Sequence, residues 1–144
     1  MSKPVLIAMV GLPRSGKSTI SKQLAKKLGC PIVNRDAIRL ALHGQRYQSE
    51  AEPMVKAMSR YMLDALFLTG HEVVICDETN FSKAARNALK SDKWDTKFYV
   101  VPTDPDTCIQ RAHLTNQPDL EPVIRSMHAR YEPLGPDEQV YEAN

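Results

Sequence analysis

The chain has 144 residues, of which 42% are hydrophobic and 25% charged, and its net charge is +2. This length suits one domain, and so small a basic excess does not by itself indicate a nucleic-acid-binding protein. No apolar run approaches the ~20 residues that span a bilayer, and the N-terminus has no signal-peptide pattern. Cys30, Cys76 and Cys108 are odd in number and lack metal-ligand spacing. We therefore expect a cytoplasmic protein with no membrane partner.

The first predicted elements are a strand over residues 5–10 and a helix over residues 19–28, which Gly29 closes. The stretch that joins them matches the phosphate-binding P-loop pattern G-x-x-x-x-G-K-S/T. Backbone N–H groups of such a loop surround phosphate oxygens, and the helix N-terminus adds its positive dipole end. A chance glycine-rich turn is the alternative interpretation. The matching residues are Gly11, Leu12, Pro13, Arg14, Ser15, Gly16, Lys17, Ser18 and Thr19.

Two residues of this loop have expected roles in binding a nucleoside triphosphate. Lys17 would reach the β- and γ-phosphates, and the Ser18 hydroxyl would hold Mg²⁺. The sequence therefore predicts ATP, or another NTP, with Mg²⁺ as the cofactors.

A second strand over residues 32–34 leads into Asn34-Arg35-Asp36, with Arg39 one helical turn later. Asp36 and Arg39 are spaced i, i+3 and share one helix face. A hydroxyl that accepts a phosphoryl group needs a carboxylate to orient it and take its proton, which is the role we predict for Asp36. Arg39 would bind an anionic group of the acceptor. The alternative is structural: Asp36 caps a helix over residues 36–43, which Gly44 ends, and Arg39 is its surface partner.

After a polar stretch over residues 45–50, a long helix is predicted over 51–69 and a buried strand over 72–76. The strand ends in Asp77-Glu78-Thr79-Asn80. An acid at the end of a buried strand is the Walker B placement. We therefore expect Asp77 to support Mg²⁺ near Ser18 through a water molecule. Glu78 or Asn80 would face the acceptor cleft. In the alternative interpretation this is a strand-to-helix turn with a local cap.

The last predicted elements are a helix from Ser82, a strand over 97–101, a helix over 104–111 capped by Asp104, and a final helix with Pro122 in its first turn. The polar segment over residues 111–120 joins the last two helices. We expect this segment to close over the nucleotide as a lid and to deliver Arg111 to the phosphates. A solvated connection with an arginine at a helix end is the alternative.

Strands that alternate with helices predict an α/β protein with a mainly parallel sheet, covered by helices on both faces. Each motif falls at the carboxyl end of a strand, where such sheets bind ligands. We therefore expect a single domain over residues 1–144 with the P-loop NTPase fold.

The P-loop, Asn34-Arg35-Asp36, the 77–80 turn and Ile124-Arg125-Ser126-Met127 occur in an order and spacing that resembles phage-type polynucleotide 5′-kinase domains. These belong to the small P-loop kinases, and the resemblance covers nearly the whole chain. It implies that Asp36 is the general base toward the 5′-hydroxyl, that Arg39 holds a phosphate of the acceptor strand, and that Arg111 stabilises the transferring phosphate.

Two positions depart from the family pattern. Aligned on Thr79-Asn80, the acceptor-contacting aspartate of the family falls on Glu78. The second lid arginine falls on Thr115, so Arg125 would have to supply that cation from another direction.

The leading hypothesis is a polynucleotide 5′-hydroxyl kinase that transfers an NTP γ-phosphate to the 5′-OH end of DNA or RNA. One alternative is a small-molecule kinase that acts on a sugar, nucleoside or antibiotic hydroxyl. Another is a nucleotide-dependent switch or interaction module, which would leave Asp36 without a use. In the leading hypothesis, basic side chains would guide the strand backbone. These are Arg35, Arg39, Arg46, Lys83, Arg86 and Lys90.

Overall fold

The sheet has five strands, all of them parallel, in a computed structural model that describes residues 3–44 and 48–142. The strands are β1 Val5–Val10, β2 Ile32–Asn34, β3 Val73–Asp77, β4 Asp95–Val100 and β5 Gln139–Val140. In space their order is β2-β3-β1-β4-β5. Helices pack around this sheet, which confirms the predicted α/β class and the P-loop kinase type of fold.

The described residues form six α-helices, and the helices predicted over 19–28, 36–43, 51–69 and 104–111 lie within a few residues of those bounds. None of the helices in the described ranges is both long and apolar enough to cross a membrane. A 3-10 turn, Ser49–Ala51, precedes the longest of these helices. The rest of the predicted 45–50 stretch includes Arg46, which lies outside the described residues. The helices are α1 Lys17–Leu28, α2 Arg35–His43, α3 Glu52–Leu68, α4 Lys83–Asn87, α5 Pro105–Leu114 and α6 Leu120–Ala129.

Strand β1 lies at the centre of the sheet, between β3 and β4, and is buried on both faces. Successive side chains of a strand point to opposite faces. Leu6, Ala8 and Val10 therefore pack into one core with α2 and α3, whereas Ile7 and Met9 pack into a second core with α1. Burial on both faces explains why β1 is a continuous apolar run rather than an alternating one.

The cap of α2 corrects one prediction. Asn34 is the N-cap, and its Oδ1 accepts a hydrogen bond of 2.9 Å from the Ala37 N–H. Asp36 instead lies in the first turn, because the helix begins at Arg35. Its carboxylate is not used for capping, so that part of the structural alternative is wrong, whereas the expected pairing of Asp36 with Arg39 is present. The predicted cap at Asp104 is confirmed, and Ser82 caps the helix that was predicted to start there.

Candidate active site

The P-loop leaves the carboxyl end of β1 and turns into α1 through two sterically demanding positions. A Cβ at Gly11 would lie 2.8 Å from the Ser15 Oγ, which is closer than real contacts allow. Gly16 has a φ of 96°, in the left-handed region that favours glycine. The turn is closed by a hydrogen bond of 3.1 Å from the Ser15 N–H to the Leu12 carbonyl. The backbone path therefore requires glycine at Gly16, whereas a side chain at Gly11 would have to displace the Ser15 hydroxyl.

The turn after β3 holds the base of the P-loop. The Gly11 N–H donates to the Thr79 carbonyl at 3.1 Å, and the Asn80 Nδ2 donates to the Met9 carbonyl at 2.8 Å. Asn80 is only 3% exposed and has a φ of 50°. Its side chain thus points into the protein, which corrects the prediction that it faces the acceptor cleft. The buried amide satisfies a strand carbonyl that would otherwise lack a partner.

Ser18 and Asp77 come together as predicted for a magnesium site. The Ser18 Oγ donates to the Asp77 Oδ2 at 2.9 Å, and the same oxygen accepts from the Asn34 Nδ2 at 3.0 Å and the Ser21 Oγ at 3.3 Å. A hydroxyl and a carboxylate are hard oxygen ligands that suit Mg²⁺. No group of three or more metal-ligating side chains occurs among the described residues.

The Ser15 hydroxyl also indicates that the loop fits an anion. Its Oγ is buried and has no hydrogen-bond partner in the described part of the chain. A buried hydroxyl without a partner is costly, and in a loop of this shape a phosphate oxygen would satisfy it. The Ser15 carbonyl is already fixed by the Thr103 hydroxyl at 2.7 Å.

Arg111 lies over the P-loop. Its Nη1 donates to the Arg14 carbonyl at 3.2 Å and lies 3.7 Å from where a Cβ would stand at Gly16. This placement is the one expected of an arginine that contacts the nucleotide phosphates. The predicted lid over 111–120 is only partly a loop, because α5 continues to Leu114 and α6 starts at Leu120.

The two positions that depart from the family pattern have local partners. The Thr115 Oγ1 donates to the Arg111 carbonyl at 3.0 Å, so Thr115 completes the end of α5. The Arg125 Nε donates to Glu121 on its own helix at 3.3 Å, and its side chain is largely exposed. Whether Arg125 replaces a second lid arginine stays a prediction.

Asp36 and Arg39 form one cluster with Glu52, a residue that sequence reasoning missed. The Arg39 Nη1 donates to the Asp36 Oδ1 at 2.7 Å, and its Nε and Nη2 donate to both carboxylate oxygens of Glu52 at 2.9 and 2.7 Å. These hydrogen bonds raise the pKa of Arg39, and the Arg39 guanidinium lowers the pKa of Glu52. Glu52 begins α3, so only the tertiary fold brings it to α2.

Glu78 lies at the carboxyl end of β3 but is buried rather than open to a cleft. Its Oε1 is 2.6 Å from the Arg35 Nε and accepts a hydrogen bond of 3.2 Å from the Ser59 hydroxyl. Arg35 and Ser59 also line a cavity of about 300 Å³. Its wall combines basic side chains, Arg35, Lys56 and Arg60, with apolar ones that include Leu63 and Leu89.

The predicted basic surface for a strand backbone is not formed as expected. Arg86 is fully buried and paired with Glu138, at 2.7 Å between its Nε and Oε2. Arg35 and Arg39 are paired with carboxylates at the site, and Lys90 lies 3.5 Å from the exposed Asp137. Sequence patterns do not identify such pairs, because the carboxylates are distant along the chain.

The fold and these contacts together define a P-loop domain of the kinase type, built to bind a nucleotide. The chain belongs to the AAA domain family, whose model matches residues 6–134. Among curated proteins, no sequence matches this chain. The narrower assignment to the phage-type kinases stays a prediction.

Solved structures similar to this chain include a chain of an RNA repair complex, a gluconokinase and a shikimate kinase. The Pnkp1/Rnl/Hen1 RNA repair complex contains a chain that matches with a TM-score of 0.71 and 21% identity over 92% of this chain. A gluconokinase from Sinorhizobium meliloti 1021 matches with a TM-score of 0.68 and 20% identity, over 97% of this chain and 82% of its own. A shikimate kinase from Bacteroides thetaiotaomicron matches with a TM-score of 0.58 and 19% identity, over 88% of this chain and 77% of its own. This chain spans only 47% of the repair-complex chain, and at these identities the likeness shows the fold alone.

Proposed function

We propose that this protein is a polynucleotide 5′-hydroxyl kinase that transfers the γ-phosphate of ATP or another NTP to the 5′-OH end of DNA or RNA. One observation supports this most. Ser18 and Asn34 both donate to the Asp77 carboxylate, and Asp36 follows Asn34 by two positions. We expect this exposed carboxylate to lie where an acceptor hydroxyl would approach the predicted metal site.

In this proposal the acceptor oxygen forms a bond to the γ-phosphorus as the bond to the β–γ bridging oxygen breaks, and a nucleoside diphosphate leaves. Asp36 accepts the proton of the acceptor hydroxyl. Lys17 and Arg111 stabilise the negative charge on the transferring phosphoryl group. Mg²⁺, held by Ser18 and supported by Asp77, would neutralise charge on the β- and γ-phosphates.

A second structure of the Pnkp1/Rnl/Hen1 complex also supports the polynucleotide acceptor. A chain in that complex matches with 29% identity and a TM-score of 0.71, over 80% of this chain and 41% of its own. The rival function is a small-molecule kinase. It is favoured by the pairing of Arg35, Arg39 and Arg86 with carboxylates, which leaves fewer cations for a strand backbone.

The deciding experiment offers the protein γ-labelled ATP and Mg²⁺ with two sets of acceptors. One set contains 5′-OH DNA and RNA oligonucleotides, and the other contains sugars, nucleosides and antibiotic alcohols. We expect label on the oligonucleotide ends. Label on a small alcohol alone would replace the proposal by its rival, and label on neither would favour a nucleotide-dependent switch.

The substitution Asp36→Asn is expected to lower kcat by about 100-fold, near the lower end of general-base effects. The amide keeps the size of the side chain but cannot accept the proton. Because the Asp36 side chain is 69% exposed and does not cap α2, the melting temperature should hardly change. The measurements are turnover and thermal melting of the same preparation.

Asp64→Asn is the control for Asp36→Asn, since Asp64 is a partly exposed carboxylate paired with Arg60 on the same helix, α3. It should leave kcat unchanged. A normal kcat in Asp36→Asn would remove Asp36 from the reaction.

The substitution Arg39→Ala is expected to raise the KM for an oligonucleotide much more than the KM for ATP. It should also reduce the salt dependence of acceptor binding by about one phosphate contact. Arg39→Lys should rescue only in part, because an ammonium group cannot make the bidentate contact. Acceptor KM is measured against salt concentration, with Arg130→Ala as the control for an exposed arginine. An acceptor KM that responds neither to salt nor to Arg39→Ala would contradict a strand phosphate at this position.

A further inference from the structure

Glu52 occupies the position at Arg39 that an acceptor phosphate would need. The Nε and Nη2 of Arg39 both donate to the Glu52 carboxylate, and the two side chains are 16% and 13% exposed. Two parallel hydrogen bonds to two oxygens are also how an arginine binds a phosphate. The chain therefore places its own carboxylate where a phosphodiester would bind.

The pair is more than a surface ion pair. Its geometry is bidentate and mostly removed from water, which are the conditions under which an ion pair resists exchange. Arg35 and Lys56 also lie within electrostatic reach of Glu52 and add to the positive potential that it neutralises. An acceptor must therefore supply an anion strong enough to replace this carboxylate.

We propose that Glu52 competes with the phosphate of the acceptor for Arg39 and so sets how strongly anionic that part of the acceptor must be. The inference rests on the proposed function and adds the acceptor class to it. A phosphodiester next to the reacting hydroxyl offers two oxygens in the arrangement that Arg39 requires, so it displaces Glu52. A neutral alcohol has no group that can do so, and it meets Arg39 still paired.

The test is equilibrium binding, which does not need phosphoryl transfer. A fluorescent single-stranded oligonucleotide with a 5′-OH end is titrated with protein whose P-loop is saturated with a non-hydrolysable ATP analogue and Mg²⁺. The proteins are wild type, Glu52→Gln, Arg39→Gln and the double variant. Glu50→Gln is the matched control, because Glu50 is an exposed glutamate two positions away. An unphosphorylated nucleoside is the neutral probe, and thermal melts establish that each variant is folded.

Glu52→Gln should tighten oligonucleotide binding by about fivefold, because the competitor for Arg39 is removed. Binding of the nucleoside should stay as in wild type. In the Arg39→Gln background, Glu52→Gln should give no tightening, because the residue that both ligands compete for is gone. Glu52→Asp keeps the charge but shortens the side chain, so it should fall between wild type and Glu52→Gln.

Three results would overturn the inference: an equal gain from Glu50→Gln, an equal gain in the Arg39→Gln background, or no oligonucleotide binding by any variant. The first two would mean that only the overall charge matters. Failure of the proposed function would give a result that differs from these three. If wild type transfers no label to oligonucleotides, the kinase proposal fails, yet an Arg39-dependent gain from Glu52→Gln would still establish the competition.

Discussion

Replacing Lys17 with alanine is expected to leave a folded protein whose rate of phosphoryl transfer falls by about 10³-fold. Lys17 is the first residue of α1, and its Cδ would lie 3.5 Å from a Cβ at Gly11, inside the loop. A positive charge there acts on the β- and γ-phosphates and does not fill the core. Single-turnover transfer from labelled ATP measures the loss, and thermal melting measures the fold.

Lys22→Ala is the control for this experiment, since Lys22 is an exposed lysine on the same helix. It should behave as wild type in both measurements. If Lys17→Ala kept near-normal turnover with Mg²⁺ and ATP, the loop would not be a catalytic P-loop, and the proposed roles of Ser18 and Asp77 would fall with it.

The parts of the site that local sequence specifies were predictable. Gly16 is favoured by its backbone angle and Gly11 by the close approach of the Ser15 side chain, so the P-loop pattern reflects steric preferences. The buried strand before Asp77 identified the carboxylate that Ser18 contacts, because a strand buried on both faces is a continuous apolar run. These features depend on residues that are close together along the chain, so the sequence alone could predict them.

The parts that depend on tertiary pairing were not predictable. Arg86 looked like a surface cation on a helix, and its partner Glu138 is 52 positions away. Glu52 was seen only as part of the long helix, although it determines what Arg39 can bind. Strand β5 is two exposed residues without an apolar run, so no pattern indicated it. Single charged residues have no periodicity that would reveal their partners.

Arg86 connects the C-terminal segment to the turn that supports the P-loop. Its side chain and that of Glu138 are both 0% exposed, and the Arg86 Nε and Nη2 donate to Glu138 at 2.7 and 3.2 Å. The Arg86 Nη1 also donates to the Asn80 carbonyl at 3.0 Å. Since the Asn80 amide holds the Met9 carbonyl, one buried cation links β5, the turn after β3 and the end of β1.

This arrangement predicts the largest loss of stability from a single substitution. Arg86→Ala should lower the free energy of unfolding by about 3–5 kcal/mol, because it leaves Glu138 buried without a counterion. Lys90→Ala is the control, since the neighbouring Lys90–Asp137 pair is exposed and should contribute less than about 1 kcal/mol. Denaturant unfolding measures both variants. A loss below about 1 kcal/mol for Arg86→Ala would show that the pair does not hold this segment.

The same pair predicts how stability depends on pH. Burial alone would raise the pKa of Glu138, but hydrogen bonds from Arg86 and the Gly135 N–H outweigh it and hold the pKa below its usual value. Such a carboxylate contributes stability above its unfolded pKa of about 4.3, and the contribution is lost as the pH falls through the folded pKa. The difference between wild type and Arg86→Ala should therefore be larger at pH 7 than in acid. It should shrink as the pH falls from the raised pKa of Glu138 in the variant to its lowered pKa in wild type, because Glu138 is then protonated in both proteins. Unfolding curves of both proteins across this range test it, and a difference that stays constant into acid would mean that packing, not the charge of Glu138, sets the cost of removing Arg86.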